Sequence, residues 1–209
     1  MRKILLFVWA CMGLVCLMSA CKTSVKSKEW KLVWVEDFDQ KNSFDESVWT
    51  KIPRGTSDWN NYMSYYDSCY AMQDGNLILR GIANHTQKND TAPYLTGGVY
   101  TKGKKLFTGG RVEVCARLQA AKGAWPAIWM LPEKAEWPKG GEIDIMERLN
   151  HDHIAYQTTH SYYTHILGIK DNPPHGGINK INPEEYNIYS VDIYPDSLVF
   201  AVNHRHTYT

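Results

Sequence analysis

Three carboxylates fall within six residues of this chain, in Gly140-Gly141-Glu142-Ile143-Asp144-Ile145-Met146-Glu147. If the segment is a strand, alternation puts Glu142 and Asp144 on one face and Ile143 and Ile145 on the other. Strict period two would then send Glu147 into the core, where an unpaired carboxylate costs several kcal/mol or titrates to its neutral form. A β-bulge near Ile145-Met146 removes the conflict by returning Glu147 to the face of Glu142 and Asp144. The two Glu residues then stand about four strand steps apart, roughly 13 Å along the backbone. Side chains leaning together on a curved sheet could bring their carboxyls to about 5–5.5 Å, the separation used to hydrolyse glycosidic bonds with retention, whereas inversion needs about 6.5–9.5 Å. Three acids on one face also repel, so at least one pKa is expected to rise, as a general acid working near neutral pH requires. The same pattern also reads as a solvated acidic strand or a cation site.

Upstream lies Lys122-Gly123-Ala124-Trp125-Pro126-Ala127-Ile128-Trp129-Met130-Leu131-Pro132. An extended chain shows Trp125, Ala127 and Trp129 on one face and Ile128 and Met130 on the other. Either the strand is buried on both faces, or one face offers two indoles as a platform for sugar rings. Pro126 marks the strand as irregular or at an edge.

The elements that must position these residues are short alternating runs with little helical periodicity. Arg111 to Leu118 is the clearest, with Arg111, Glu113, Cys115 and Arg117 on one face and Val112, Val114, Ala116 and Leu118 on the other. Asn76 to Ile82 follows the turn signal Asp74-Gly75, and Leu32 to Val35 also reads extended. Tyr189 to Tyr194, Pro195-Asp196-Ser197 and Leu198 to Val202 read as a hairpin. Gly- and Pro-bearing stretches separate the runs, and no internal repeat or linker interrupts residues 30–209. The predicted fold is all-β, an antiparallel β-sandwich in one domain. The hairpin stops close to the C-terminus, which predicts an exposed edge after its last apolar strand.

The chain has 209 residues, and its 23 basic and 22 acidic side chains leave no broad basic surface for a phosphate backbone, so nucleic acid is excluded as an expected partner. Its 8 Trp and 13 Tyr suit sheets and sugar-stacking surfaces. Arg2 and Lys3 precede an apolar run from Ile4 to Leu17, too short to span a bilayer and therefore a secretory signal. Leu17-Met18-Ser19-Ala20-Cys21 is similar to the lipobox of bacterial lipoproteins, with lipidation expected at Cys21; a plain signal peptide cut nearby is the alternative. Residues 1–20 are thus read as the signal, 21–29 as a tether and 30–209 as the folded domain. The expected location is the outer membrane or cell surface, with a lipid anchor as the membrane contact. Cys69 and Cys115 then remain, either as a disulfide permitted by export or as a buried free pair.

Two further groupings allow two readings each. His151-Asp152-His153 reads as a loop or as zinc ligands. Lys102-Gly103-Lys104-Lys105 reads as a solvated turn or as a contact for an anionic polysaccharide. No Gly-x-x-x-x-Gly-Lys-Ser/Thr or Gly-x-Gly-x-x-Gly pattern is present, so nucleotide chemistry has no support.

Taken together, Gly-Ala-Trp-Pro-Ala-Ile-Trp-Met-Leu-Pro followed by Gly-Glu-Ile-Asp-Ile-Met-Glu strongly resembles glycoside hydrolase family 16, particularly its laminarinase-like endo-β-1,3- and β-1,3(1,4)-glucanases. Val35-Glu36-Asp37-Phe38, Asp74-Gly75-Asn76-Leu77 and Thr108-Gly109-Gly110-Arg111-Val112-Glu113 agree, so the resemblance covers about residues 30–209. It implies a β-jelly roll with a concave substrate cleft and hydrolysis of internal β-linkages with retention. By that resemblance Glu142 is the nucleophile, Asp144 positions and tunes it, and Glu147 is the acid/base. Trp125 and Trp129 line sugar subsites, and His160 matches a family histidine near the acid/base, although by itself it reads as a structural or surface His.

The form with Met146 between Asp144 and Glu147 points to laminarinase-like enzymes, though agarases and porphyranases share it. Two positions depart: Gly98 stands where many laminarinases have Arg, and Met63 replaces an acid often seen after Asn60-Asn61-Tyr62. Family members also continue past the hairpin with further strands, so the chain is expected to be C-terminally incomplete and less stable than a full-length relative. No cofactor is expected for catalysis and no catalytic metal; a structural calcium, known in some relatives, has no support in the residues. The expected partner is a polysaccharide, bound by a monomer. The alternatives are a hydrolase of a red-algal galactan and a non-catalytic carbohydrate-binding lipoprotein.

Overall fold

The alternation of Arg111 to Leu118 survives folding: Arg111, Glu113 and Cys115 are exposed, while Val112, Val114 and Ala116 turn inward. The computed structural model describes residues 30–40 and 42–209. The signal segment and Cys21 lie outside the described residues. Among those residues, Leu32–Thr209 form one compact unit. Its strands in chain order are β1 (Thr50–Lys51), β2 (Tyr70–Gln73), β3 (Asn76–Leu79), β4 (Gly81–Ala83), β5 (Tyr94–Thr96), β6 (Val99–Tyr100), β7 (Gly110–Ala116), β8 (Ala127–Met130), β9 (Glu142–Glu147), β10 (Ile154–His160), β11 (Gly176–Lys180), β12 (Asn187–Ile193), β13 (Leu198–Val202) and β14 (Arg205–Tyr208).

Two four-stranded antiparallel sheets, β11-β10-β9-β8 and β14-β13-β12-β7, supply the residues of the main core. Three two-stranded ribbons, β1-β6, β2-β3 and β4-β5, are also paired among the described residues. Ile145, Met146 and Ala155 of the first sheet pack with Tyr189, Val191, Phe200 and Val202 of the second. Fully burying a Val, Ile, Met or Phe side chain here contributes about 1.5–3 kcal/mol. The Phe200 and Tyr208 rings stack at 4.5 Å with 5° between their planes, which fastens the last strand to the core.

The expected bulge is present. Pairing between β9 and β10 passes from Glu147 opposite Tyr156 to Asp144 opposite Thr158, and pairing with β8 jumps from Met146 opposite Ile128 to Asp144 opposite Trp129. Ile145 and Met146 are therefore both buried, at 1% and 0% exposure, and Glu147 regains the face of Glu142 and Asp144. The expected hairpin is β12-β13, closed by the Tyr194 N–H donating to the Ser197 carbonyl.

Four expectations fail for reasons outside the local pattern. Leu32 to Val35 pairs with no strand, and Leu32 and Val33 are 76% and 88% exposed, because an extended run without a partner strand gains little. Asn76 to Ile82 is broken at Arg80: β3 pairs with β2 and β4 with β5, so the chain changes partner there. The apolar strand β13 is not an edge. Asn203 and His204 both take positive φ, 50° and 61°, which suits a tight hairpin, and Arg205–Tyr208 return as β14 against β13. Cys69 is buried and Cys115 exposed, and both are free, so they form neither a disulfide nor a buried pair. Alternation along β7 puts Cys115 on the solvent face beside Arg111 and Glu113.

Candidate active site

Gly140 and Gly141 set the entry to β9. Gly141 takes φ +80°, and a Cβ at Gly140 would lie 2.5 Å from Pro132 Cγ and 2.7 Å from Ala135 Cβ, so the loop before the strand folds tightly on itself. The Gly140 and Gly141 N–H groups donate to the Glu136 and Pro138 carbonyls. That fold delivers Trp137 to the strand: its Nε1 donates to Glu142 Oε2 at 2.7 Å. The Trp137 ring meets His165 edge-on at 4.4 Å, in the helical turn Tyr162–Ile166 capped by Ser161.

A second loop serves the other end of β9. Arg148 N–H donates to the Pro126 carbonyl, Asn150 N–H to the Ala124 carbonyl, and Gly123 N–H to Asn150 Oδ1 at 2.6 Å. These bonds lace the segment before β8 to the chain just past Glu147. Trp125 Nε1 then donates to Glu147 Oε1 at 2.8 Å. Each of the two Glu carboxylates thus accepts one indole N–H.

Between them, Asp144 is 3% exposed, and His160 Nε2 on the neighbouring strand lies 3.2 Å from its Oδ2. Trp129, Asp144 and Thr158 stand side by side across β8, β9 and β10. Ile128 and Met130 pack on the core, and Trp129 instead meets Trp59 edge-on at 5.4 Å. Trp125 is 49% exposed, so the upstream stripe is an apolar strand on its inner side and an open aromatic surface on the other.

The two Glu carboxyls are pushed up. Burial raises Glu142, Asp144 raises it further, and the Trp137 hydrogen bond and His160 oppose the rise. Glu147 rises for the same first two reasons, opposed by Trp125 and His160. His160 is raised chiefly by Asp144, against its own burial, so the imidazolium persists to higher pH than a free histidine and offsets part of the acidic charge. One ligand atom each from Glu142, Asp144 and His160 fits within 4.8 Å. With Glu147 beyond Asp144, the site places two Glu carboxyls of raised pKa on either side of Asp144 and His160, which suits acid and nucleophile work at an acetal carbon.

The structure therefore brings together Glu142, Asp144, Glu147, Trp125, Trp129 and His160. Sequence reasoning missed Trp137 and Trp59; a signal for Trp137 exists in the indole five residues before Glu142, but none marks Trp59. The remaining groupings are absorbed by the fold. Asp152 accepts from Tyr156 Oη at 2.7 Å, and its carbonyl from Arg148 Nε at 2.6 Å, so His151-Asp152-His153 is a held loop. Lys104 Nζ donates to the Glu46 and Trp49 carbonyls, and Lys105 lies 5.3 Å from the Trp34 ring centroid. Met63 Sδ and Cε stand 3.0 Å from where a Cβ at Gly98 would be, filling the space a side chain there would take.

The model of an XgeA-like, catalytic GH16 domain matches residues 67–180. A keratan-sulfate endo-1,4-beta-galactosidase of Sphingobacterium multivorum is 37% identical over 192 residues, covering 90% of this chain and 44% of its own length. A beta-glucanase of Rhodothermus marinus is 30% identical over 200 residues, covering 90% of this chain and 68% of its own. Of these two relatives, the chain thus spans less than half of the first and about two thirds of the second. Among solved structures, the laminarinase from Rhodothermus marinus superposes with a TM-score of 0.75 at 29% identity, over 86% of this chain and 74% of that one. The laminarinase catalytic domain from Thermotoga maritima gives 0.72 at 27%, over 86% and 76%.

Proposed function

The chain belongs to glycoside hydrolase family 16, and on that footing we propose that it hydrolyses internal β-linkages of a β-1,3- or mixed-linkage β-1,3(1,4)-glucan with retention. The observation that carries this reading is the pair of carboxylates on one open face, Glu142 and Glu147, each fixed by an indole N–H with Asp144 between them.

In the first step ionised Glu142 attacks the anomeric carbon while Glu147 gives its proton to the departing glycosidic oxygen. The bond to the leaving sugar breaks as the bond to Glu142 forms. In the second, Glu147, now ionised, takes a proton from water, whose oxygen displaces Glu142 and restores the β-configuration. Asp144 and His160 stand beside the carboxyls through both steps, and Glu147 alone gives the proton to the leaving oxygen and takes one back from water. Trp125 and Trp129 offer flat faces to the sugar rings. Binding alone would not require two Glu residues of raised pKa, which favours hydrolysis over a purely carbohydrate-binding role.

The test is release of reducing ends from laminarin, mixed-linkage glucan, agarose, porphyran and keratan sulfate, with Glu142→Gln as control. Cleavage of either glucan by the parent and not by the variant supports the reading. Cleavage only of a galactan would move the substrate to that class, and no cleavage by folded protein would leave a binding role. We also propose export as a lipoprotein anchored through Cys21; labelling with radioactive palmitate, lost in Cys21→Ala, tests it.

A further inference from the structure

The bulge that turns Glu147 outward leaves a backbone carbonyl on the core side, and a buried side chain takes it. Along β10, Gln157 alone stands opposite the two bulged residues Ile145 and Met146, since the pairs on either side are Tyr156 with Glu147 and Thr158 with Asp144. Gln157 is fully buried. Of the two hydrogens on its Nε2, one goes to the Ile145 carbonyl at 2.8 Å and the other is shared, across the core, between the carbonyls of Ala201 at 3.2 Å and Ser190 at 3.5 Å. Three carbonyl oxygens converge on one atom, an arrangement that only a donor satisfies.

The opposite end of the amide has no such role. Gln157 Oε1 has no hydrogen-bond partner among the described residues, in a core built from Ile145, Met146, Ala155, Tyr189 and Phe200. A position that needed only volume would be filled at lower cost by Met or Leu. The amide is explained by what its nitrogen ties together: the bulge carbonyl of one sheet and the β12 and β13 backbones of the other.

We infer that Gln157 is a positioning residue for the proposed hydrolysis, pinning the Ile145 carbonyl to the opposite sheet and so fixing the bulge that presents the Glu147 carboxyl beside Asp144. The inference rests on the reading of Glu147 as acid/base. The groups facing Glu147 are Asp144 and Glu142 from its own strand, His160 from β10 and the Trp125 indole from the loop before β8. Without the pin β9 relaxes toward regular pairing. Regular alternation exchanges the faces of Met146 and Glu147, so the Glu147 carboxyl turns toward the core and away from Trp125.

The experiment compares Gln157→Met, of similar length without a donor, and Gln157→Asn, which keeps the amide one methylene short. Three readouts are taken: thermal unfolding, kcat and KM on the polysaccharide the parent cleaves, and the titration midpoint of Glu147 by carboxyl carbon NMR, which needs no turnover. Expected are folded variants with kcat down by about 100-fold, the scale of a 1 Å misplacement, KM nearly unchanged, and a Glu147 midpoint above that of the parent. Parent-like kcat with an unchanged midpoint would overturn the inference. So would failure of both variants to fold, which would make Gln157 a stability residue only. Glu147→Gln is run beside them: if it turns over like the parent, the acid/base reading fails, and the NMR midpoint still decides whether Gln157 positions the carboxyl.

Discussion

Trp137 donates its indole N–H to Glu142 at 2.7 Å while its ring leans edge-on against His165, so a loop residue and a helical turn together hold one carboxylate of the site. Trp125 does the same for Glu147 from the other side, at 2.8 Å. The two indoles lower the pKa of different carboxyls, so on the proposed roles of nucleophile and acid/base they act on opposite limbs of the pH profile.

Trp137→Phe removes the bond that lowers Glu142, so its carboxyl stays protonated to higher pH and the ascending limb of kcat/KM moves up. Trp125→Phe removes the corresponding bond to Glu147, which then keeps its proton to higher pH and moves the descending limb up. Profiles of kcat/KM against pH for the two variants check this; shifts of the same limb in both would contradict the assignment.

Glu147→Gln is expected to lower kcat by about 10²–10⁴-fold, the usual contribution of a general acid. Its stability should move the other way. The folded pKa of Glu147 is raised, so its contribution to stability is present below the unfolded value of about 4.3 and lost as pH rises through the folded value. Thermal unfolding should show the variant more stable than the parent at pH 7, by roughly 2 °C, with the gain vanishing near pH 4.

His160→Gln tests the histidine. Asp144 raises its pKa, so its stabilising contribution is full below about pH 6.5 and lost as pH rises through the folded value. The variant should unfold more easily than the parent at pH 5.5, with the difference narrowing by pH 9. His160 also lowers both Glu carboxyls, so both limbs of the activity profile should move up in the variant.

Gly140→Ala would place a methyl 2.5 Å from Pro132 Cγ and 2.7 Å from Ala135 Cβ. Overpacking of this kind costs about 1–3 kcal/mol, and the loop that must shift is the one carrying Trp137. Denaturant unfolding should show that loss together with a lower kcat. A variant as stable and active as the parent would show that the loop yields freely.

Much of the site was legible because its signals are local. Period two placed Glu142 and Asp144 on one face, and the parity conflict at Glu147 called for a bulge near Ile145-Met146, since a charged carboxyl and an apolar core exclude each other whatever the rest of the chain does. The same rule put Cys115 on one face with Arg111 and Glu113, and that alternation, not the expected disulfide or buried pair with Cys69, is what the fold keeps. The turn at Asn203-His204 uses two residue types that take positive φ more readily than most, at 50° and 61°, but nothing local says that the chain after it returns as a strand.

Other features were decided only by contacts distant in the chain. Leu32 to Val35 has strand composition and no strand partner, and Arg80 breaks an alternating run because the chain changes ribbons there. Trp59 reaches Trp129 across seventy residues of sequence, and Gln157 reaches Ala201 from the opposite sheet. Alternation along one strand determines which face a side chain takes, because backbone geometry alone sets it. Which neighbour that face meets depends on how separate segments pack, so the indole partners of the two carboxylates and the amide behind the bulge came from the tertiary structure.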